Sequence, residues 1–142
     1  MAAAGWTHYD HQADIGLRGF GPTLSEAFAQ TALALTGVVT HPEAVRPETA
    51  VSLECWAADA EFLLVEWLDE LIYRMATRDF LYGRFAVTVD EDGTHLTATA
   101  WGEPLDRKRH QPAVEIKGAT LTDLRVARDG EGGWSAQCVV DV

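Results

Sequence analysis

Polar and apolar positions alternate in the first and last parts of the chain, and they fall at helical spacing in two stretches between. Thr7–Tyr9 and Ile15–Phe20 read as short strands, with Gly19 and Gly21 breaking the second. Thr23-Leu24-Ser25-Glu26 is a capping box, in which the Thr23 hydroxyl and the Glu26 carboxylate each satisfy a free backbone donor. The helix it opens carries Leu24, Ala27, Phe28, Ala32, Leu33 and Leu35 on its apolar face, and is expected to stop near Gly37, a C-cap residue type. The proline-containing stretch His41–Pro47 is the loosest connection. Val51–Trp56 alternates as a strand, and Asp59 is placed to cap a second helix from Ala60 to about Thr77. That helix is apolar nearly all round, with a narrow polar stripe of Glu66, Asp69, Glu70 and Arg74. Such a helix is buried on more than one side, which implies packing between layers.

The remainder reads as β. Phe85–Val89 and Thr94–Trp101 flank Asp90-Glu91-Asp92-Gly93, a hairpin signal, and Leu124–Ala127 and Trp134–Val140 flank a second at Asp129–Gly133. Val114–Ala119 is a further strand candidate. The expected architecture is α+β: two main helices packed between mostly antiparallel sheets of seven or eight strands. No Gly-x-Gly-x-x-Gly or Gly-Lys-[Ser/Thr] phosphate loop occurs.

Length and charge narrow the picture. The chain has 142 residues, which is one ordinary domain (1–142). Against 11 Lys+Arg stand 22 Asp+Glu, a net charge of −11. A backbone-phosphate ligand needs a basic surface, so direct nucleic-acid binding is not expected. No apolar run suits a membrane span, and no basic segment precedes an apolar one at the N-terminus, so a cytoplasmic protein is expected. Cys55 and Cys138 sit in apolar stretches outside any Cys-x-x-Cys or zinc pattern and read as buried reduced thiols. Of the five tryptophans, Trp6 and Trp101 are expected to be the more exposed.

Candidate chemistry concentrates in His11-Gln12-Ala13-Asp14-Ile15-Gly16 and at Asp141-Val142. An Asp one residue from the end of an apolar strand is odd unless that end is wet or liganded. If the two segments meet, Asp14, Asp141 and a Val142 main-chain oxygen form an all-oxygen set suited to hard cations such as Ca²⁺ or Mg²⁺. Two unrelated loop aspartates are the plainer alternative. His11 is either a packing residue or a proton carrier. No Ser or Cys stands in a nucleophile motif. Arg107-Lys108-Arg109-His110 is a basic island following the turn residues Gly102-Glu103-Pro104; it is either a solvated loop or a docking patch for phosphate or an acidic surface. Lys117 is one of two lysines and lies in the strand candidate, facing either solvent or a ligand.

Taken in order, these residues resemble the archease family. His11-x-x-Asp14-Ile15-Gly16, the capping box running into Glu26-Ala27-Phe28, and Leu63–Tyr73 are similar to that family's opening signature and central helix. Gly102-Glu103-Pro104, Asp106, His110, Glu115 and Lys117 follow its late segment, and Val140-Asp141-Val142 its ending. The resemblance implies a non-enzymatic protein that activates RtcB-type RNA ligases in tRNA splicing or RNA repair. Such an activator promotes guanylylation of the ligase histidine and multiple turnover. The resemblance also implies helices packed between β layers. It further implies a divalent metal, commonly calcium with Mg or Mn as alternatives, on Asp14, Asp141 and the Val142 carbonyl. Lys117, with His11 and His110, takes the part of activation or partner residues. The chain departs from the pattern after Lys117, reading Gly118-Ala119-Thr120-Leu121-Thr122 where the family often has Ala-Val-Thr-Tyr-His. The rival classes are a small metal-dependent phosphoester hydrolase using Asp14, Asp141 and His11, and a general chaperone.

Overall fold

The computed structural model describes residues 3–142. In chain order the elements are β1 (Gly5–His11), β2 (Asp14–Gly21), α1 (Leu24–Val39), a 3₁₀ turn at Pro42–Ala44, β3 (Thr49–Trp56), α2 (Ala60–Arg78), β4 (Phe80–Val89), β5 (His95–Pro104), α3 (Arg107–His110), β6 (Gly118–Ala119), β7 (Arg125–Arg128) and β8 (Trp134–Asp141). One sheet has the order β1-β2-β8-β6, with β7 also pairing β8; the other is β3-β5-β4, and every pairing is antiparallel.

The two long helices fill the space between these sheets. Both N-caps are made by their side chains: the Thr23 hydroxyl accepts the Glu26 N–H at 3.1 Å, the Thr23 half of the capping box, and the Asp59 carboxylate accepts the Phe62 N–H at 2.9 Å. Phe28, Leu35, Leu63, Leu64, Trp67 and Leu68 are buried together with Leu17, Leu96 and Cys138 from the sheets. The two helices are joined where the Trp67 indole N–H donates to the Phe28 carbonyl at 3.1 Å. β2 lies so close to α1 that a Cβ at Gly19 would run into the backbone N of Thr31 and the carbonyl of Ala27. That approach lets the Thr31 hydroxyl reach both Ala27 O, at 2.7 Å, and Ala136 O of β8, at 3.3 Å.

Several expectations are corrected. The first helix does not stop at Gly37; it runs to Val39 and is closed by Thr40. Gly37 is there for space, since a Cβ would lie 2.6 Å from the Trp6 ring of β1. Val114–Ala119 is not a strand: only Gly118–Ala119 form ladder pairs with β8, and before them the main-chain bonds are Ala113 N–H to Val39 O and Lys117 N–H to Asp141 O. Gly102-Glu103-Pro104 is not a turn but the end of β5. Trp6 and Trp101 are half-buried, whereas Trp56 is 63% exposed. Trp56 ends an edge strand whose alternate residues face solvent, a parity that apolar content does not reveal. Helix α2 is buried on its Leu63–Leu71 and Leu64–Leu68 sides, but Phe62 and Tyr73 stay exposed beside Glu66 and Asp69. Cys55 and Cys138 are buried free thiols.

Candidate functional site

A row of residues crosses one end of the larger sheet. In the β1–β2 hairpin His11 pairs with Asp14 across the two-residue turn Gln12-Ala13, in which Gln12 takes φ 55°. β2 and β8 pair Ile15 with Val140, so the next step of the ladder sets Asp14 across from Asp141. On the far side of β8, Gly118 pairs with Asp141, and the Lys117 N–H donates to the Asp141 carbonyl at 2.8 Å. The first and last parts of the chain therefore meet, because β8 enters the sheet directly beside β2.

The face is equally defined. Leu17 and Cys138 face each other and are wholly buried toward the helices. Asp14 and Asp141 have the opposite parity and project on the outer side of the sheet, in the row beyond Tyr9, Gly16 and Val139. Residues directly opposed in an antiparallel pair have Cβ atoms about 4.5–5.5 Å apart, and like charges there repel. Asp141 is exposed, and Asp14 and His11 are half-buried. Val142 is half-buried and packs against the core, which anchors the chain at this point. Lys117 is exposed. Among the described residues no three His, Cys, Asp or Glu side chains gather into a metal-binding group.

His110 is placed otherwise. It is buried, its Nδ1 accepts the Asp106 N–H at 2.9 Å, and its Nε2 meets Glu103 Oε2 at 3.0 Å. It therefore holds the α3 turn to β5 from the inside and presents no ring atom to a partner. The basic island is a helical turn capped by Asp106, whose carboxylate accepts the Lys108 and Arg109 N–H groups. Arg109 is bound to Glu103 and to Ala44 O, which leaves Arg107 and Lys108 as its exposed charges. Glu103 is the hub that sequence reasoning passed over. It is only 4% exposed and also accepts the Arg46 N–H at 2.6 Å. The Arg109 guanidinium, with Arg46 N–H and His110, holds its carboxyl down at about 2. The available signal was an acidic residue between Gly and Pro at the end of an apolar strand.

Beside α3, the stretch ahead of β6 borders a cleft of about 350 Å³, lined in part by Val39, Ile72, Met75, Phe80, Leu105 and Ile116. Asp79, Arg107 and Glu115 also line it.

The fold defines an acidic α+β protein, with helices between two antiparallel sheets. Residues 6–142 match the archease protein family (MTH1598/TM1083), and the chain belongs to that family. The protein archease of Pyrococcus furiosus is 38% identical over 139 residues, covering 96% of this chain and 98% of that one. That of Aeropyrum pernix is 32% identical over the full length of both. Among solved structures, protein 1598 of Methanobacterium thermoautotrophicum superposes with a TM-score of 0.83 at 33% identity, covering 97% of this chain and 99% of that one. An archease from Thermotoga maritima, described as a possible chaperone, shares the fold with a TM-score of 0.58 at 16% identity over 94% of each chain. No helix of the described residues is long and apolar enough to cross a membrane.

Proposed function

We propose that this protein is a non-catalytic activator of an RtcB-type RNA ligase, acting in the cytoplasm through the acidic end of its larger sheet. What carries the reading is the β2–β8 register, which brings Asp14 and Asp141 to opposed positions on the outer face. Two opposed carboxylates repel, and a hard divalent cation between them removes the repulsion. The donor set fits such an ion: the Asp14 and Asp141 carboxylates and a Val142 main-chain oxygen are all hard oxygen ligands, without thiolate or a required imidazole. Calcium suits them, with magnesium or manganese as alternatives. When bound, the ion supplies positive charge for phosphate neutralisation.

The chain's own residues do the rest. The sheet holds the two aspartates on rigid strands, and Val142 anchors the last of them against the core. Lys117 adds a cation at the same end, able to contact phosphate or a partner carboxylate, and His11 sits at the hairpin beside Asp14. The net charge of −11 complements a ligase whose own surface must attract RNA, and it disfavours RNA binding by this chain itself. The buried position of His110 supports a structural part for it.

The test is ligase guanylylation and multiple-turnover joining with an RtcB-type ligase from the same organism, GTP and Mn²⁺ or Mg²⁺. Wild-type protein is expected to stimulate both, and Asp14→Ala and Asp141→Ala to lose the effect while keeping a native circular-dichroism spectrum. A folded wild type without effect refutes the reading. Metal-dependent phosphoester turnover by the isolated chain would make it a hydrolase instead. Protection of unrelated clients that is indifferent to Asp14→Ala would make it a chaperone.

A further inference from the structure

β6 is too short to place itself. It is a two-residue strand at the edge of its sheet, preceded by a stretch without ladder pairs and followed by a turn in which Asp123 takes φ 54°. Besides its ladder pairs, main-chain bonds to β8 lie on each side of Ala119: Lys117 N–H to Asp141 O, at 2.8 Å, and Thr120 N–H to Val139 O, at 2.9 Å, with Val139 N–H donating on to Thr122 O at 3.2 Å. The Ala119 N–H belongs to none of these; Asp69 on α2 takes it, Oδ1 accepting at 2.9 Å. The segment is aligned along the helix at further points. Glu61, two turns earlier on α2, accepts the Val126 N–H at 3.2 Å, and Ile72 and Met75 line the cleft with Ile116. Asp69 is thus the middle tie of a strand lying antiparallel to α2, one residue from Gly118, which pairs with Asp141, and two from Lys117. It is exposed on the helix and contributes nothing to the core, so packing does not account for a carboxylate there.

We infer that Asp69 is a positioning residue for the acidic end: by holding the Ala119 N–H it keeps Lys117 and Gly118 docked on Asp141. The inference rests on the proposed role of that end. Asp69 touches neither aspartate of the pair; it acts through β6 alone, so its hydrogen-bond acceptor matters and its charge does not. Asp69→Asn retains the Oδ1 acceptor, whereas Asp69→Ala does not.

The experiment has two arms on the full chain. Amide hydrogen exchange is expected to quicken at least tenfold at Lys117 and Ala119 in Asp69→Ala, to stay near wild type in Asp69→Asn, and to be unchanged at core amides such as Leu64 in both. In the second arm, Ca²⁺ or Mn²⁺ titrated by calorimetry and stimulation of ligase guanylylation are both expected to weaken several-fold in Asp69→Ala and to be restored in Asp69→Asn. Unchanged exchange at Lys117 and Ala119 overturns the inference. So does equal loss of ion affinity or stimulation in the Asn variant, which would make the charge the active feature, and so does general unfolding of Asp69→Ala. Released β6 amides with unaltered ion affinity and stimulation also overturn it while leaving the proposed function standing. A wild type that neither binds ion nor stimulates the ligase refutes the proposed function, and with it the positioning role, even where the exchange arm shows the tie.

Discussion

Replacing Glu103 by Gln isolates the charge of a buried carboxylate whose two oxygens take three hydrogen-bond contacts. Oε1 accepts from Arg109, and Oε2 accepts from the Arg46 N–H at 2.6 Å and faces His110 Nε2 at 3.0 Å. Glutamine has one acceptor oxygen. If it keeps the Arg46 and His110 contacts, its NH₂ group confronts the Arg109 guanidinium, donor against donor. If it flips, two donors are left facing NH₂ instead of one, so the first arrangement is the less costly. The loss is then one charge-assisted hydrogen bond, about 1.5–3 kcal/mol. Arg109 limits the damage, because it is 29% exposed and keeps its bond to Ala44 O at 2.7 Å. We expect Glu103→Gln to lose about 2–3 kcal/mol at pH 7 by denaturant unfolding, lowering the midpoint at unchanged m-value. The pH dependence has a defined sign. Glu103 is held at about 2 in the fold against an ordinary 4.5, so its contribution is whole above the ordinary value. It fades as pH falls from there through about 2. The wild type and Glu103→Gln are therefore expected to converge in stability over that acid range, since protonated Glu103 is close to glutamine. A difference below about 0.5 kcal/mol at pH 7, the usual scatter of surface substitutions, or a gap that stays constant down to pH 2, would refute the assignment of Glu103 as an ionised hub.

Three further outcomes follow from the packing and the site. Gly19→Ala forces a methyl group into the Thr31 and Ala27 backbone and is expected to cost several kcal/mol or abolish folding, on the order of the larger overpacking penalties; melting within a few degrees of wild type would contradict the close approach. Burial pushes the Cys138 thiol up to about 12, with Asp69 adding to it, and Cys55 up to about 11. Neither is expected to react with an aromatic disulfide reagent at pH 8 in the native protein, and both in denaturant; rapid labelling of the folded chain would show the thiols to be open. In chelator, Asp14→Asn relieves the repulsion with Asp141 and is expected to raise stability by a few tenths to about 1 kcal/mol, and added Ca²⁺ is expected to raise the melting temperature of the wild type more than that of the variant. A destabilised variant in chelator would place the two carboxylates apart.

Local signals determined much of this protein. The Thr23 and Asp59 caps, the period of the helices, the two Asp- and Gly-containing hairpin turns and the resemblance carried by the residues around Asp14, along α2 and at Asp141 were all legible in the chain, because each depends on neighbours a few residues away. Helix packing between layers was legible too, from the apolar breadth of α2. What the tertiary structure decided was which distant residues share a row. The apposition of Asp14 and Asp141 depends on β8 entering beside β2 in one register, and a slip of a single residue would have turned one carboxylate toward the helices. Gly37 looked like a helix end and is instead a space beneath Trp6; Glu103 looked like a turn residue and His110 like part of a basic island, and they are a buried pair; Asp69 looked like part of a polar stripe and ties β6. Each of these errors has the same source: spacing along the chain reports the face a residue takes on its own element, while its partner across that face is chosen by the folding of elements far apart in sequence.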